Sequence, residues 1–225
     1  MSSFSRRQLL GGTAASLISA TSLNLFNPPS LRAQSTQTPD ASLQTLLAGN
    51  ERFISGKMTS LDEDLKILKA HTVDKQEPFA AVLSCADSRV PAELIFDQTI
   101  GHIFVARVAG NVVTSEIIAS LEYGAVVLGT KVILVLGHRN CGAVKAAIEG
   151  KEVPGQISSL YPHLQPAVDK AGTDLVAVTH ANASIQADLL RKSSPVLAPM
   201  VKENKLKIIA GYYDIETGKV SLSEG

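Results

Sequence analysis

Ser84-Cys85-Ala86-Asp87-Ser88-Arg89 decides how this chain is to be read. It follows Phe79-Ala80-Ala81-Val82-Leu83, an apolar run of strand length. Cys, Asp and Arg therefore arrive together where a buried strand gives out onto a loop, and in open α/β sheets that carboxyl end is where ligands bind. The other of the two cysteines, Cys141, occupies an equivalent place. Val132-Ile133-Leu134-Val135-Leu136 reads as a second buried strand and runs into Gly137-His138-Arg139-Asn140-Cys141-Gly142. Two strand ends thus deliver their polar residues to what can be one spot. Cys85, His138 and Cys141 are the donor types of a three-ligand zinc site, with a fourth position open for chemistry.

Outward from these strands, the chain alternates strand and helix. Val90 to Phe96 reads as a short helix with an early proline, and Ile103 to Val108 as a strand. Ser115 to Leu128 carries a helical stripe of Ile117, Ile118, Leu121, Ala125 and Leu128, ended by Gly129. A helix from Cys141 to Glu149 stops at Gly150. Two more helices lie between Gln156 and Lys192, broken near Gly172, with a further break at Ser193-Ser194-Pro195. Leu206 to Tyr213 is the last core strand, and Lys219 to Ser223 a short edge strand. The order implies crossovers, hence an α/β fold with a mostly parallel sheet of four strands plus the edge strand, covered by helices. Abundant Val, Ile, Leu and Ala, with no Trp, suit such a sheet. No glycine-rich dinucleotide fingerprint or phosphate loop follows any strand.

Before the first strand, Asp40 is the expected N-cap of a helix bearing Leu43, Leu46, Leu47 and Phe53, with Gly56 as its stop. A second amphipathic segment runs from Leu61 to Ala70. This leading arm has no strand beside it, so its apolar stripe must find the domain or a partner subunit.

Residues 1–33 read as an export signal: Ser5-Arg6-Arg7-Gln8-Leu9-Leu10 is a twin-arginine pattern, followed by a mildly apolar stretch to Phe26. Its interior Gly, Thr, Ser and Asn make a poor spanning helix. Residues 34–39 then form a linker and 40–225 a single catalytic domain, long enough to bury a full core. Losing Arg6, Arg7 and Arg32 turns a neutral chain mildly acidic, which excludes the basic face that nucleic-acid binding needs. Two cysteines in an exported chain ordinarily suggest a disulfide. A structural bridge, however, has no use for Asp87, Arg89 and His138 beside it. The twin-arginine route also carries folded proteins, so a metal can be loaded first.

Three protein ligands bring the pKa of a zinc-bound water to roughly 7. Asp87 can act in two ways, as a fourth ligand that shuts the site or as the acceptor that orients the bound hydroxide. Arg89 decides between them, because a bidentate pair with the carboxylate holds Asp87 off the metal.

Cys85-Ala86-Asp87-Ser88-Arg89 together with Gly137-His138-Arg139-Asn140-Cys141-Gly142 resembles the β-class carbonic anhydrases. The resemblance extends to Leu47-Ala48-Gly49-Asn50-Glu51-Arg52-Phe53 and Arg107-Val108-Ala109-Gly110-Asn111, and covers nearly all of the chain after residue 33. It implies Zn2+ on Cys85, His138 and Cys141, an Asp87–Arg89 dyad, and hydration of carbon dioxide to bicarbonate and a proton by a metal-bound hydroxide. It also implies a substrate pocket lined by Gln76, Phe104 and Tyr123. A homodimer or dimer of dimers follows by the same resemblance, with the leading helices embracing the neighbour and pocket residues shared across the interface. His102 stands where the family often carries an acid, and either relays protons or is incidental; His71, His163 and His180 read as incidental. With the export signal, the expected site of action is the periplasm, without stable membrane insertion. Two rivals stand beside this reading: a carbonyl sulfide or carbon disulfide hydrolase on the same fold, and a non-catalytic zinc or thiol protein, which leaves Asp87, Arg89 and Gln76 idle.

Overall fold

The computed structural model describes residues 35–62 and 65–223; the export signal expected over 1–33 lies outside the described residues. The buried apolar runs become the middle of one sheet. β1 (Ala80–Ser84), β2 (Ile103–Arg107), β3 (Val132–His138), β4 (Lys207–Tyr213) and β5 (Val220–Leu222) lie in the order β2-β1-β3-β4-β5. The first four are mutually parallel where they pair, and β5 returns antiparallel on β4. This is the expected sheet of four strands plus an edge strand. β1 and β3 are buried along their whole length because both faces are covered.

On one face, Ala80, Val82 and Leu134 pack against Leu43 and Leu46 of α1 (Pro39–Ile54) and Ile95 of α3 (Ala92–Ile95). On the other, Ala81, Leu83 and Val135 meet Leu121 of α4 (Ser115–Glu122), Ala183, Ala187 and Leu190 of α7 (Leu175–Ser193) and Leu197 of α8 (Leu197–Lys202). A third apolar cluster roofs the strand ends, with Val144 of α5 (Gly142–Glu149), Leu164 of α6 (Tyr161–Ala171) and Val178 of α7 around the two cysteines. α2 (Leu65–Thr72) lies in the leading arm, where Leu61 and Leu65 are exposed.

Several boundaries differ from expectation for local reasons. Thr38, not Asp40, caps α1: its hydroxyl accepts the Ala41 N–H, while Pro39 takes the first helical position, where a missing N–H costs nothing. Asp40 instead sits in the first turn and pairs with Lys207. The short helix starts at Ala92 because Pro91 is its cap. The helix from Ser115 does not reach Leu128 as α-helix. It widens at Tyr123–Val127 into a π turn, in which Leu128 N–H reaches back to Tyr123 O. α8 is an element the sequence did not announce. Ser194, inside the expected break, holds its start by accepting the N–H groups of Val196 and Leu197.

Candidate metal centre

The register of the sheet assembles the site. Ser84 stands opposite Leu136 on the adjacent strand, so Cys85 and His138 leave the sheet side by side. Cys141 follows as the N-cap of α5, after a tight turn that Asn140 makes in the left-handed region at φ +55°. The sulfur, nitrogen and sulfur atoms of Cys85, His138 and Cys141 all lie within 4.8 Å of one another, and all three residues are buried. Both cysteines are free.

The donor chemistry fits a zinc ion. His138 Nδ1 lies 2.9 Å from Arg139 O, which places the proton on Nδ1 and leaves Nε2 with a lone pair. That Nε2 is buried without a hydrogen-bond partner among the described residues, an arrangement that costs stability unless something accepts the lone pair. The two sulfurs lie close enough to compete for one proton, and this coupling lowers the Cys85 thiol while, together with burial, it raises the Cys141 thiol. Two sulfurs sharing one proton beside an unpaired imidazole nitrogen are what a divalent cation satisfies.

Asp87 faces this cluster, with Oδ2 3.9 Å from His138 Nε2. Arg89 grips it from the far side: Nε donates to Oδ1 at 3.0 Å, a terminal nitrogen to Oδ2 at 2.8 Å, and the Arg89 backbone N–H to Oδ1 at 2.9 Å. The guanidinium holds the Asp87 carboxyl well below the usual carboxylate range. Arg89 also donates to Asn140 O at 3.2 Å, so one side chain ties the first motif to the second. The five residues Cys85, Asp87, Arg89, His138 and Cys141 thus come together as expected.

Gln76, Phe104 and Tyr123 do not join them within one chain. Gln76 is exposed in the loop before β1. Phe104 and Tyr123 pair with each other, ring centroids 6.4 Å apart. Phe104 stands opposite Ala81, four residues short of Cys85, or roughly 13 Å along the strand at 3.3 Å per residue. His102 is exposed and lies 3.2 Å from the Thr99 hydroxyl through Nδ1. His180 stacks on Tyr212 at 4.3 Å, a packing role.

One contributor entered the sequence reading only as the first residue of Arg107-Val108-Ala109-Gly110-Asn111, with no role attached. Arg107, at the end of β2, donates to Cys85 O at 3.0 Å and Asp87 O at 2.6 Å, clamping the loop that carries ligand and carboxylate. A charged residue closing an apolar strand was its signal.

A family profile described as carbonic anhydrase matches residues 80–220. A carbonic anhydrase of Mycolicibacterium smegmatis is 34% identical over 194 residues, covering 82% of this chain and 93% of the relative. Among solved structures, one of two tetrameric β-carbonic anhydrases from Sordaria macrospora superposes with a TM-score of 0.67 at 21% identity, over 82% of this chain and 98% of the other. A carbon disulfide hydrolase in its apo form reaches a TM-score of 0.50 at 18% identity, over 72% of this chain and 88% of the other.

Proposed function

The chain belongs to the β-carbonic anhydrase family, and from that premise we infer how its own residues carry out the family's reaction, the reversible hydration of carbon dioxide to bicarbonate and a proton. Cys85, His138 and Cys141 hold the zinc. The metal supplies Lewis acidity that lets water ionise near neutral pH. Asp87 is the orienting acceptor: Arg89 occupies one side of both its oxygens, so the carboxylate stays ionised and keeps lone pairs for the attacking water. The bidentate grip on Asp87 is the observation that carries this assignment, because a non-catalytic zinc or thiol site gives that pair no task. Arg107 keeps the Cys85–Asp87 backbone from shifting as the reaction turns over.

A second copy of the chain completes the pocket. β2 is an edge strand, and Leu61, Leu65, Tyr123, Val126 and Val127 expose apolar surface in or beyond the leading arm. A homodimer or dimer of dimers that buries this surface brings the neighbouring copy's Gln76, Phe104 and Tyr123 toward the dyad. The twin-arginine pattern at Arg6-Arg7 supports a periplasmic location. No helix of the described residues is long and apolar enough to cross a membrane.

The test pairs elemental analysis with stopped-flow hydration on the same sample. About one zinc per chain with carbon dioxide turnover is expected, and Cys141→Ala should lose both. Full zinc in Cys141→Ala would overturn the ligand set. Turnover of carbonyl sulfide or carbon disulfide in place of carbon dioxide would favour the rival hydrolase, which now rests on likeness of fold alone.

A further inference from the structure

The Cys85 sulfur is held from outside its own loop. Gly110, in the turn that leaves β2, donates its backbone N–H to Cys85 Sγ at 3.3 Å. Aiming that N–H takes an unusual backbone: Gly110 has φ +75° and Asn111 φ +46°. The left-handed region is unfavourable for a non-glycine residue such as Asn111, and such conformations persist only where the surroundings over-determine them. At Gly110 itself an added Cβ would lie 3.2 Å from Leu164 Cδ2 and 3.3 Å from Ala143 Cβ, so the turn is also closely packed.

α7 supplies the constraint. Asn182, fully buried, donates through Nδ2 to Gly110 O at 2.9 Å. Gln186, one helical turn on and also buried, accepts the Val113 N–H at 2.8 Å and donates to Asn182 Oδ1 at 3.2 Å. It donates as well to His163 O at 3.0 Å. Two coupled amides therefore grip the turn at both of its ends. Packing alone does not call for them, since Ala183, Ala187 and Leu190 fill neighbouring buried positions of the same helix with apolar side chains. An amide buried without partners is destabilising, so the pair is tolerated here only because the turn satisfies it.

We propose that Asn182 and Gln186 are positioning residues of the metal centre: they fix the Gly110 peptide with its N–H on Cys85 Sγ, and through it set how much charge that sulfur gives the zinc. The proposal rests on the reading of Cys85, His138 and Cys141 as zinc ligands. An N–H aimed at a thiolate draws electron density from it, as outer-shell partners of metal ligands generally do.

Cobalt(II) replaced for zinc in the full chain reports on this directly, through its sulfur-to-metal charge-transfer absorption. Asn182→Leu, close in size and without the amide, should move that band to longer wavelength, because the freed sulfur gives up charge more easily. A chelator should strip its metal about 10-fold faster, the low end for a lost outer-shell partner. Gln186→Glu keeps an oxygen for Val113 N–H and loses the donor to Asn182; it should shift the band less, in the same direction. That variant carries the test alone if Asn182→Leu does not fold. Ala187→Gly loosens the same helix without touching the turn and should leave the band in place. An unmoved band in the folded Asn182 and Gln186 variants, or an equal shift in Ala187→Gly, overturns the proposal. Failure of the wild-type chain to bind cobalt would overturn the ligand assignment instead.

Discussion

At Asp87 two positive partners compete for one carboxylate. Arg89 holds both oxygens, and the metal position lies next to His138 Nε2, itself 3.9 Å from Asp87 Oδ2. Without the guanidinium, the carboxylate gains most by ligating the ion. Arg89→Ala should therefore retain its zinc and lose carbon dioxide hydration by about 100-fold, the upper end for an orienting outer-shell group. Stopped-flow rates with zinc content measured alongside decide it, and near wild-type turnover at full occupancy would reduce the pair to a structural ion pair. Sequence reveals this residue set because its members crowd into two short segments at strand ends. It does not reveal Asn182, nor the task of Arg107. Their backbone partners are carbonyls of distant turns, and no spacing rule encodes where a carbonyl points.

Among the elements, α1 is seated with unusual closeness. A Cβ on Gly49 would fall 1.8 Å from Phe96 O, so only glycine lets the helix backbone lie against the end of α3. Asn50 then donates to Ile95 O and Gly218 O and accepts the Val220 N–H, binding the arm to the edge strand. Arg52 reaches Asp97 at 2.5 Å, and the fully buried Asp97 carboxylate also accepts from the backbone N–H groups of Thr59 and Ser60. Burial pushes this carboxyl up, but the hydrogen bonds of Ser60, Arg52 and Thr59 outweigh it and hold it well below the usual range. A carboxyl depressed in the folded state stabilises above its unfolded pKa, and the benefit fades as pH falls toward the folded value. Asp97→Ala should thus cost about 2 kcal/mol near neutral pH by chemical denaturation, the scale for leaving buried donors without their acceptor. The gap to wild type should narrow as pH drops below about 4, the ordinary carboxylate pKa. A gap that does not change with pH would remove the charge from the explanation. Element type is legible in the periodicity of residues 39–54 and 115–122, whereas the π turn and α8 are not. The first lies where Gly124 packs on Phe104, a contact between distant residues, and the second begins at a serine inside an apparent break.

For the whole molecule, the apolar stripe of α1 is legible in the sequence but its destination is not: it proves to be the chain's own sheet, on which Leu43 and Leu46 are buried, while Leu61 and Leu65 of the arm stay exposed. Sedimentation should give a mass of at least two chains, and Val126→Arg, which puts charge on a half-exposed position of the π turn, should shift it toward one. A single-chain mass for the wild type would sink the shared pocket. Arg6→Lys with Arg7→Lys should strand the precursor in the cytoplasm, and an unchanged periplasmic fraction would argue against the signal. The placement of the ligands on neighbouring strands has a further effect, on chain entropy. Cys85 and His138 are more than fifty residues apart along the chain, joined by an excursion through α3, β2 and α4. Closing a loop of about 50 residues costs roughly 3.5 kcal/mol, so an ion that bridges its ends favours the state in which the sheet has already closed it. Metal and sheet should consequently melt as one unit: chelation lowers the midpoint, and added zinc raises it with concentration. A midpoint indifferent to zinc would contradict this. The ion then acts as a clasp across two strands that must first meet, which places metal loading after the closure of β1 on β3.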